Sequence, residues 1–447
     1  MLELILSLIR TPAIVLGLVA LVGLVIQGKN AGQVFSGTIK TSIGMLLVSA
    51  GAGVLVTSIL PFVSLFAHVF NLSGFATSSE SVVAAMSSTI PLVATTSSLI
   101  MAIGFLVNIV LARFSPLKYV FLTGHMMWIL SITVAFVLYN AGLSETLIIA
   151  IGSALQGLIM VILPALTQPL VRKTIGSNDF GIAHLTTLGT VPAGYIGGLF
   201  GDKSRDAEEI KLPESLEFFK DTACSITIVM GIFYMVVVLL AGPEVVALNG
   251  GGSTNYIVFG LLQTLGFVAG ILVLLQGVRM FLGELVPAFK GISDRLVPNA
   301  IPALDVPALF GFSPNSLMIG FVTSVVGMIV AMFVSSVVFD TVPLVSIIGA
   351  FFTGGVAGIF GNAKGGLRGA IIAGFVYGFM LIFGTAALSR LYEFAAFGAT
   401  GIGHDCLDAM AIMAVFKYWY VGIIVVVVSF VLLSLQEMKY QKQQSNS

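Results

Sequence analysis

The chain carries very little charge. Only 9% of its 447 residues are Asp, Glu, Lys or Arg, whereas about 25% of a soluble globular domain is charged. Hydrophobic residues make up 57% of the chain, and no soluble fold of this length could bury that much apolar surface. The scarcity of charge therefore excludes an ordinary soluble protein and indicates a chain embedded in a membrane.

Several chemical signatures are also missing. The net charge is zero, without a basic cluster of the kind that binds nucleic acid, so nucleic acid is not an expected partner. The two cysteines, Cys224 and Cys406, have no CxxC spacing that would indicate a disulfide framework or a zinc site. No Walker A, GxSxG or HExxH motif occurs, and no nucleophile lies at a readable spacing from a base. We therefore expect no cofactor, no metal and no catalytic nucleophile in this chain.

What the sequence does have is a series of long apolar runs. Runs of about 20 residues predict helices that cross a bilayer, because a spanning backbone must satisfy its own polar groups. The runs are too long for the strands of a β-barrel, and they lack the alternation of apolar and polar residues that such strands show. The predicted fold is an all-α integral membrane protein with about 10–11 transmembrane helices. The predicted spans lie near 12–27, 38–60, 92–112, 119–139, 145–170, 222–242, 254–282, 316–338, 343–361, 367–388 and 410–435.

One polar segment, DKSRDAEEIKLPESLEFFKD at 202–221, divides the chain. It separates a first transmembrane half, 1–201, from a second half, 222–437, and a short tail follows at 438–447. The Lys and Arg residues near the span ends predict that the loop and the tail are cytoplasmic. Glu3 stands where a secretory signal would be basic, so we interpret the N-terminus as retained.

Four apolar stretches, 80–91, 178–201, 298–315 and 353–369, are too short or too interrupted by Gly and Pro to be ordinary spans. We predict re-entrant hairpins there, since irregular backbone at membrane depth is tolerated only where it is buried or lines a cavity. The similarity of GTIKTSIGMLLVSAGAG to QGVRMFLGELVPAF favours an inverted repeat, although glycine-rich apolar sequence also resembles itself by chance. Solute sites are expected in the broken stretches.

Ionisable residues in these apolar segments are candidates for function, because they are costly in a membrane. His125 lies in FLTGHMMWIL and His184 in DFGIAHLTTLGTVPAGY, where an imidazole could both donate to and accept from a solute hydroxyl. Asp305 lies in IPALDVPALFGFSPN between two prolines that exclude a regular helix. Its carboxylate could accept from neighbouring hydroxyls of a sugar.

Each candidate also has a purely structural interpretation. Either histidine could bond a neighbouring carbonyl, and Asp305 could cap a half-helix. The polar cluster SSESVVAAMSST, which contains Ser81, could line a cavity or form a solvated loop end. The residues alone leave these alternatives open.

Several blocks together resemble a known family: FLTGHMMW, GIAHLTT, QGVRMFLGEL and FKGISDRLVPNAIPALDVPALFGFSPNSLMIGF. With GTIKTSIGMLL, KLPESLEFFKDT and GIFGNAKGGLRGA, the similarity extends over almost the whole chain. The sequence resembles component C (IIC), the membrane-embedded sugar subunit of the bacterial phosphotransferase system (PTS) for L-ascorbate. It is more distantly similar to the galactitol-type subunit.

The resemblance implies a multi-pass homodimer in the bacterial inner membrane, each protomer having a transport core and a scaffold domain that move against each other. It further implies that the solute is phosphorylated during uptake by a cysteine of a separate cytoplasmic IIB component, which receives phosphate from IIA. The membrane subunit would bind and gate, which agrees with its lack of a nucleophile. The implied partners are a small sugar-like substrate, IIB, IIA, a second copy of the chain and membrane lipid.

Position by position, the resemblance places His125, His184 and Asp305 on polar residues that hold the sugar, and Ser81 on a hydroxyl position. We predict these four as substrate-binding residues, together with Thr186.

Three polar positions of the family pattern are apolar in this chain. Leu185 and Ile129 stand where the resemblance implies glutamine, and Val82 stands where it implies an aromatic hydroxyl. Since an unpaired buried polar group costs about 1–3 kcal/mol, we predict that the substrate is not L-ascorbate or that Thr186 and Thr187 have taken over these contacts.

The predicted function is that of a sugar-specific IIC permease subunit, ascorbate-like, which moves a small sugar, sugar acid or polyol for phosphorylation by IIB. One alternative is a phosphate-independent secondary transporter of the same fold. An alternative from another class is an integral membrane transferase or hydrolase, which would need a catalytic acid or nucleophile facing water.

Overall fold

The structure is a computed structural model that describes residues 12–69, 79–210, 222–295, 297–339, 342–343, 345–397, 401–403 and 405–445. Within these ranges the chain forms thirteen main helices and three short strands. The helices are α1 Pro12–Ile26, α2 Ala31–Val69, α3 Ser79–Thr89, α4 Pro91–Phe114, α5 Gly124–Asn140, α6 Glu145–Ile175, α7 Thr187–Phe200, α8 Thr222–Val246, α9 Tyr256–Arg295, α10 Pro314–Val338, α11 Gly355–Ser389, α12 Leu407–Val415 and α13 Trp419–Ser445. The strands are β1 Tyr119–Phe121, β2 Gly181–Ile182 and β3 Ile301–Leu304.

The all-α membrane class is confirmed. The structure is 81% helical, and seven helices within the described ranges are long and apolar enough to cross a bilayer. Their bounds are Pro91–Phe114, Glu145–Ile175, Ile226–Gly251, Tyr256–Phe281, Pro314–Val338, Ile347–Ser389 and Trp419–Gln443. Shorter apolar helices accompany them, and the total of ten or eleven crossings stays a prediction.

The side chains pack into two large hydrophobic cores. The first joins mainly α1, α2, α8, α9, α10 and α11. The second joins mainly α3, α4, α5, α6 and α12. Both cores draw helices from the two sides of the polar loop. The division into a transport core and a scaffold domain stays a prediction.

Each of the four predicted broken stretches contains some irregular backbone, but most of 80–91 is the regular helix α3, which ends at Thr89 before the extended residue Ile90. Whether these stretches form re-entrant hairpins stays a prediction. Residues 178–201 contain β2 and a turn before α7, and residues 298–315 contain β3 and a short 3-10 helix, Val306–Leu309. Within 353–369, α11 is interrupted at Gly365 and Gly366, and Gly366 has a φ of 62° that favours glycine. The predicted span 119–139 also begins irregularly, since β1 precedes α5.

Helices α10 and α11 approach each other through glycine. A Cβ added at Gly320 would lie 2.7 Å from the Gly358 Cα, so neither position has room for a side chain. Close backbone approach through small residues is the usual way in which membrane helices associate.

We expect Gly320→Val to lower the free energy of unfolding by about 1–3 kcal/mol, because the two backbones would have to separate. Thermal unfolding of the detergent-purified protein measures this change. Gly53→Val in α2 is the matched control, since nothing lies within 4 Å of its added Cβ. If both variants unfold at the wild-type temperature, the tight contact between α10 and α11 is wrong.

Candidate functional site

A small parallel sheet lies among the helices. Its strand order is β1–β3–β2, with Tyr119 paired to Ile301 and Gly181 paired to Ala303. The ladder continues past the strands, since the Leu122 N–H donates to the Ala303 carbonyl at 2.9 Å. The central strand β3, which follows the polar loop in sequence, thus joins two strands that precede the loop.

Side-chain amides complete the two outer edges of this sheet. The Asn108 amide donates to the Tyr119 carbonyl at 3.1 Å and accepts from the Phe121 N–H at 3.0 Å. On the other edge, the Gln168 amide donates to the Phe180 carbonyl at 3.1 Å. Because an unpaired backbone group within a membrane is costly, these amides from α4 and α6 explain how so short a sheet is tolerated there.

The predicted residues His125, His184 and Asp305 follow the carboxyl ends of β1, β2 and β3, respectively. Parallel strands end at the same edge of a sheet, and the structure brings the three side chains together there. All three ligand atoms lie within 4.8 Å of one another. The sheet is therefore the element that assembles the candidate site.

The three groups face one another without touching. The His125 Nε2 lies 3.6 Å from one carboxylate oxygen of Asp305, and the His184 Nε2 lies 3.9 Å from the other. The side chains are partly to deeply buried, with exposed fractions of 32% for His125, 17% for Asp305 and 3% for His184. Separations just beyond hydrogen-bond length suit a ligand hydroxyl that donates to the carboxylate and accepts from an imidazole N–H.

Asp305 shows the capping role that one interpretation of its sequence predicted, and its sugar-binding role stays a prediction. One carboxylate oxygen accepts from the Val306 N–H at 2.7 Å and so caps the 3-10 helix Val306–Leu309. The carboxylate also faces both histidines. The cap fixes the carboxylate in place, which leaves its remaining lone pairs directed at the site.

Two histidines and a carboxylate are also a common metal-ligand set. Zinc–nitrogen bonds of about 2.0–2.1 Å in a tetrahedral site would bring ligand atoms to about 3.4 Å from one another. The observed distances of 3.6 and 3.9 Å from the imidazole Nε2 atoms to the carboxylate oxygens are longer, and the ligand atoms of the three residues lie up to 4.8 Å from one another. The cluster fits a hydroxyl-bearing ligand better than a metal ion.

A small cavity of about 20 Å³ lies beside His125 and Asp305, which is room for about one water. Leu16 of α1, Met45 of α2 and Phe281 of α9 also line it. The site therefore lies where the strand ends meet the first hydrophobic core. A cavity of this volume is too small to hold a sugar.

Asp408 is a residue of the site region that the sequence analysis missed. Its carboxylate is fully buried and accepts from the Thr187 N–H at 2.9 Å and the Leu188 N–H at 2.8 Å. Its own N–H donates to the Leu185 carbonyl at 3.1 Å. Asp408 thus holds the turn that carries His184. An acidic residue in an apolar segment is itself the signal that could have identified it.

The predicted hydroxyl residues are placed differently. Thr186 is buried, and its hydroxyl shares a 2.6 Å hydrogen bond with the Tyr377 hydroxyl. The Thr187 hydroxyl donates to the His184 carbonyl at 3.3 Å. Ser81 lies in α3, and its side chain is outside the part of the chain that the structure describes. Both threonine hydroxyls are engaged within the protein.

The three apolar replacements, Val82, Ile129 and Leu185, are fully or almost fully buried in the second hydrophobic core. None of them can offer a hydrogen bond to a ligand. The polar groups of the assembled cluster are therefore the two imidazoles and the Asp305 carboxylate.

Comparison with known proteins gives one family for this chain. A family model described as a PTS system sugar-specific permease component matches residues 7–408. A curated relative, the ascorbate-specific PTS system EIIC component of Mycoplasma pneumoniae, is 29% identical over 449 aligned residues, which cover 87% of this chain and 67% of the relative. The family match spans most of the transmembrane region and includes all three clustered side chains. The chain belongs to the family of PTS sugar-specific permease components and is a multi-pass membrane subunit for sugar transport.

Proposed function

We propose that His125, His184 and Asp305 form the sugar site of this permease component. The observation that carries the proposal is the convergence of these side chains at one edge of the parallel sheet, within 4.8 Å of one another. Each imidazole can donate to or accept from a hydroxyl, and the carboxylate can accept from two hydroxyls. This donor set suits a small, hydroxyl-rich solute.

The substrate class that we propose is a small sugar, sugar acid or polyol other than L-ascorbate. The Mycoplasma relative is described as ascorbate-specific, but Leu185, Ile129 and Val82 are buried and apolar here. The hydroxyls of Thr186 and Thr187 already bond within the protein, which argues against their taking over the missing contacts. We therefore propose a hydroxyl-bearing solute that does not depend on these three contacts.

The proposal extends to the cellular setting. We place the subunit in a bacterial cytoplasmic membrane as a homodimer, with the sugar passed to a IIB component that phosphorylates it and that is itself phosphorylated by IIA. The family membership and the resemblance support this arrangement. Ser81 and Thr186 stay in the proposal as further substrate-binding positions, on the family resemblance alone.

Thermal unfolding of the detergent-purified protein with a panel of sugar acids, pentitols, hexitols and L-ascorbate tests the site. Specific binding raises the unfolding temperature as ligand concentration grows. We expect one class of solute to stabilise the protein more than L-ascorbate does, and His184→Ala to remove that stabilisation. His68→Ala, which changes an exposed histidine near the end of α2, is the matched control.

Uptake in cells with and without a IIB component then tests the mechanism. Accumulation of the phosphorylated solute only in the presence of IIB is expected. Uptake of unmodified solute in its absence would favour the secondary-transporter alternative. The substrate assignment is wrong if L-ascorbate stabilises the protein best, and the site is wrong if His184→Ala leaves the stabilisation intact.

A further inference from the structure

A second polar cavity, separate from the sugar site, lies between the C-terminal ends of α6 and α13. Its volume is about 390 Å³, within the usual range of about 300–1,000 Å³ for small-ligand pockets. Arg172 and Lys173 from α6 line it, together with Gln436, Glu437 and Tyr440 from α13. Two cations thus face a single carboxylate, which leaves this cavity with an excess of positive charge.

Arg172 is held in a fixed orientation at the edge of this cavity. Its Nη2 donates to Glu437 at 2.9 Å, its Nε donates to the Asn178 side chain at 2.8 Å, and its guanidinium lies 4.1 Å from the centre of the Tyr440 ring. A guanidinium has five N–H donors, so these two bonds leave donors for a ligand. The arrangement pre-orients a planar cation of the kind that binds phosphate with two parallel hydrogen bonds.

The rest of the cavity wall is apolar. Leu117, Ala165, Pro169 and Leu433 line it on the side away from the charged residues. Both flanking helices are membrane-spanning candidates that end within a few residues of the charged cluster, at Ile175 and Gln443. The cavity thus has a cationic end at the membrane surface and an apolar end directed into the bilayer.

We propose that this cavity binds a phosphate-bearing anion, and that its occupant is the headgroup of an anionic phospholipid. A phosphodiester would accept from Arg172 and Lys173, while the glycerol and the upper acyl chain would contact Leu117 and Leu433. Basic pockets between transmembrane helices at the membrane surface have this chemistry. The apolar wall favours a lipid over a free phosphate ion, which would leave that wall uncovered.

Lipid add-back to the delipidated full-length protein tests the proposal. The probes are phosphatidylglycerol, phosphatidylcholine with the same acyl chains, and inorganic phosphate alone. Thermal unfolding and native mass spectrometry report stabilisation and retained lipid. We expect phosphatidylglycerol to be retained and to stabilise the protein more than phosphatidylcholine does at the same mole fraction.

Two variants address the site. Lys173→Gln leaves the Arg172–Glu437 ion pair intact, and the double variant Arg172→Gln/Glu437→Gln removes both partners so that no charge is left unpaired. Each is expected to weaken phosphatidylglycerol binding on the order of tenfold, because a charge-assisted hydrogen bond is lost. Lys439→Gln is the matched control, since this exposed lysine lies on the same part of α13 but does not line the cavity.

The outcomes distinguish a lipid phosphate from a free phosphate ion. If inorganic phosphate reproduces the stabilisation with the same dependence on Lys173, the site takes a free phosphate ion. If phosphatidylcholine matches phosphatidylglycerol, or if Lys439→Gln weakens binding as much as Lys173→Gln does, the assigned anion site is wrong.

Discussion

Asp305→Asn is expected to weaken solute binding by about ten- to a hundredfold, with little change in the thermal unfolding temperature. A hydrogen bond to a charged group contributes about 1.5–3 kcal/mol, which corresponds to this loss of affinity. Asparagine caps a helix about as well as aspartate, so the bond to the Val306 N–H can be kept while the negative charge is removed. Titration of the stabilising solute from the panel measures the change.

Two further variants make this result interpretable. Asp305→Ala removes the cap as well as the charge, and should therefore also cost about 1 kcal/mol of stability. Asp202→Asn makes the same chemical change at an exposed position, where the carboxylate accepts from the N–H and the hydroxyl of Ser204. Wild-type affinity in Asp305→Asn would show that the carboxylate does not contact the solute.

Asp408→Ala should give the largest loss of stability among the single variants, about 3–5 kcal/mol, because it removes a fully buried carboxylate that accepts from one buried and one partly buried N–H group. The turn that carries His184 would lose two hydrogen bonds to α12 at the same time, although the backbone N–H of residue 408 could still donate to the Leu185 carbonyl. We expect a large fall in the thermal unfolding temperature. We also expect the variant to bind solute more weakly than the wild type does, even at temperatures where the variant stays folded. Circular dichroism and solute titration at low temperature separate the two effects.

The control for Asp408 is Asp179→Asn, which changes an exposed carboxylate in the loop before β2. Asp179 bonds to the Ser177 hydroxyl at the surface, so its replacement should leave stability and binding unchanged. An Asp408→Ala protein that unfolds at the wild-type temperature would contradict the positioning role that we assign to Asp408.

The fold class follows directly from the sequence, because long apolar runs of low charge leave few alternatives to membrane helices. The irregular segments could also be located, since Pro298, Pro302 and Pro307 around β3 interrupt the helical pattern. The strands themselves could not be predicted. A strand of two to four buried residues shows no alternation, and an apolar run that short cannot be distinguished from helix.

The individual residues of the site could be predicted from the sequence, but their assembly into one cluster could not. His125, His184 and Asp305 are each conspicuous as ionisable groups in apolar sequence. Their convergence depends on which strands pair, and that pairing joins residues far apart in the chain. The roles of Asp408 and Tyr377 depend on the same tertiary contacts, so neither could be assigned from its neighbours in sequence.

The central position of β3 has a consequence for how the protein is made. The ribosome completes β1 and β2 long before β3, yet in the finished sheet each of them pairs with β3. Until β3 is inserted, the edges of β1 and β2 that will face it carry N–H and C=O groups without their final partners. Such unpaired groups are costly within a membrane. We therefore expect the nascent first half to stay attached to the insertion machinery or to remain hydrated at these strands. Solute binding should arise only after translation has passed Asp305.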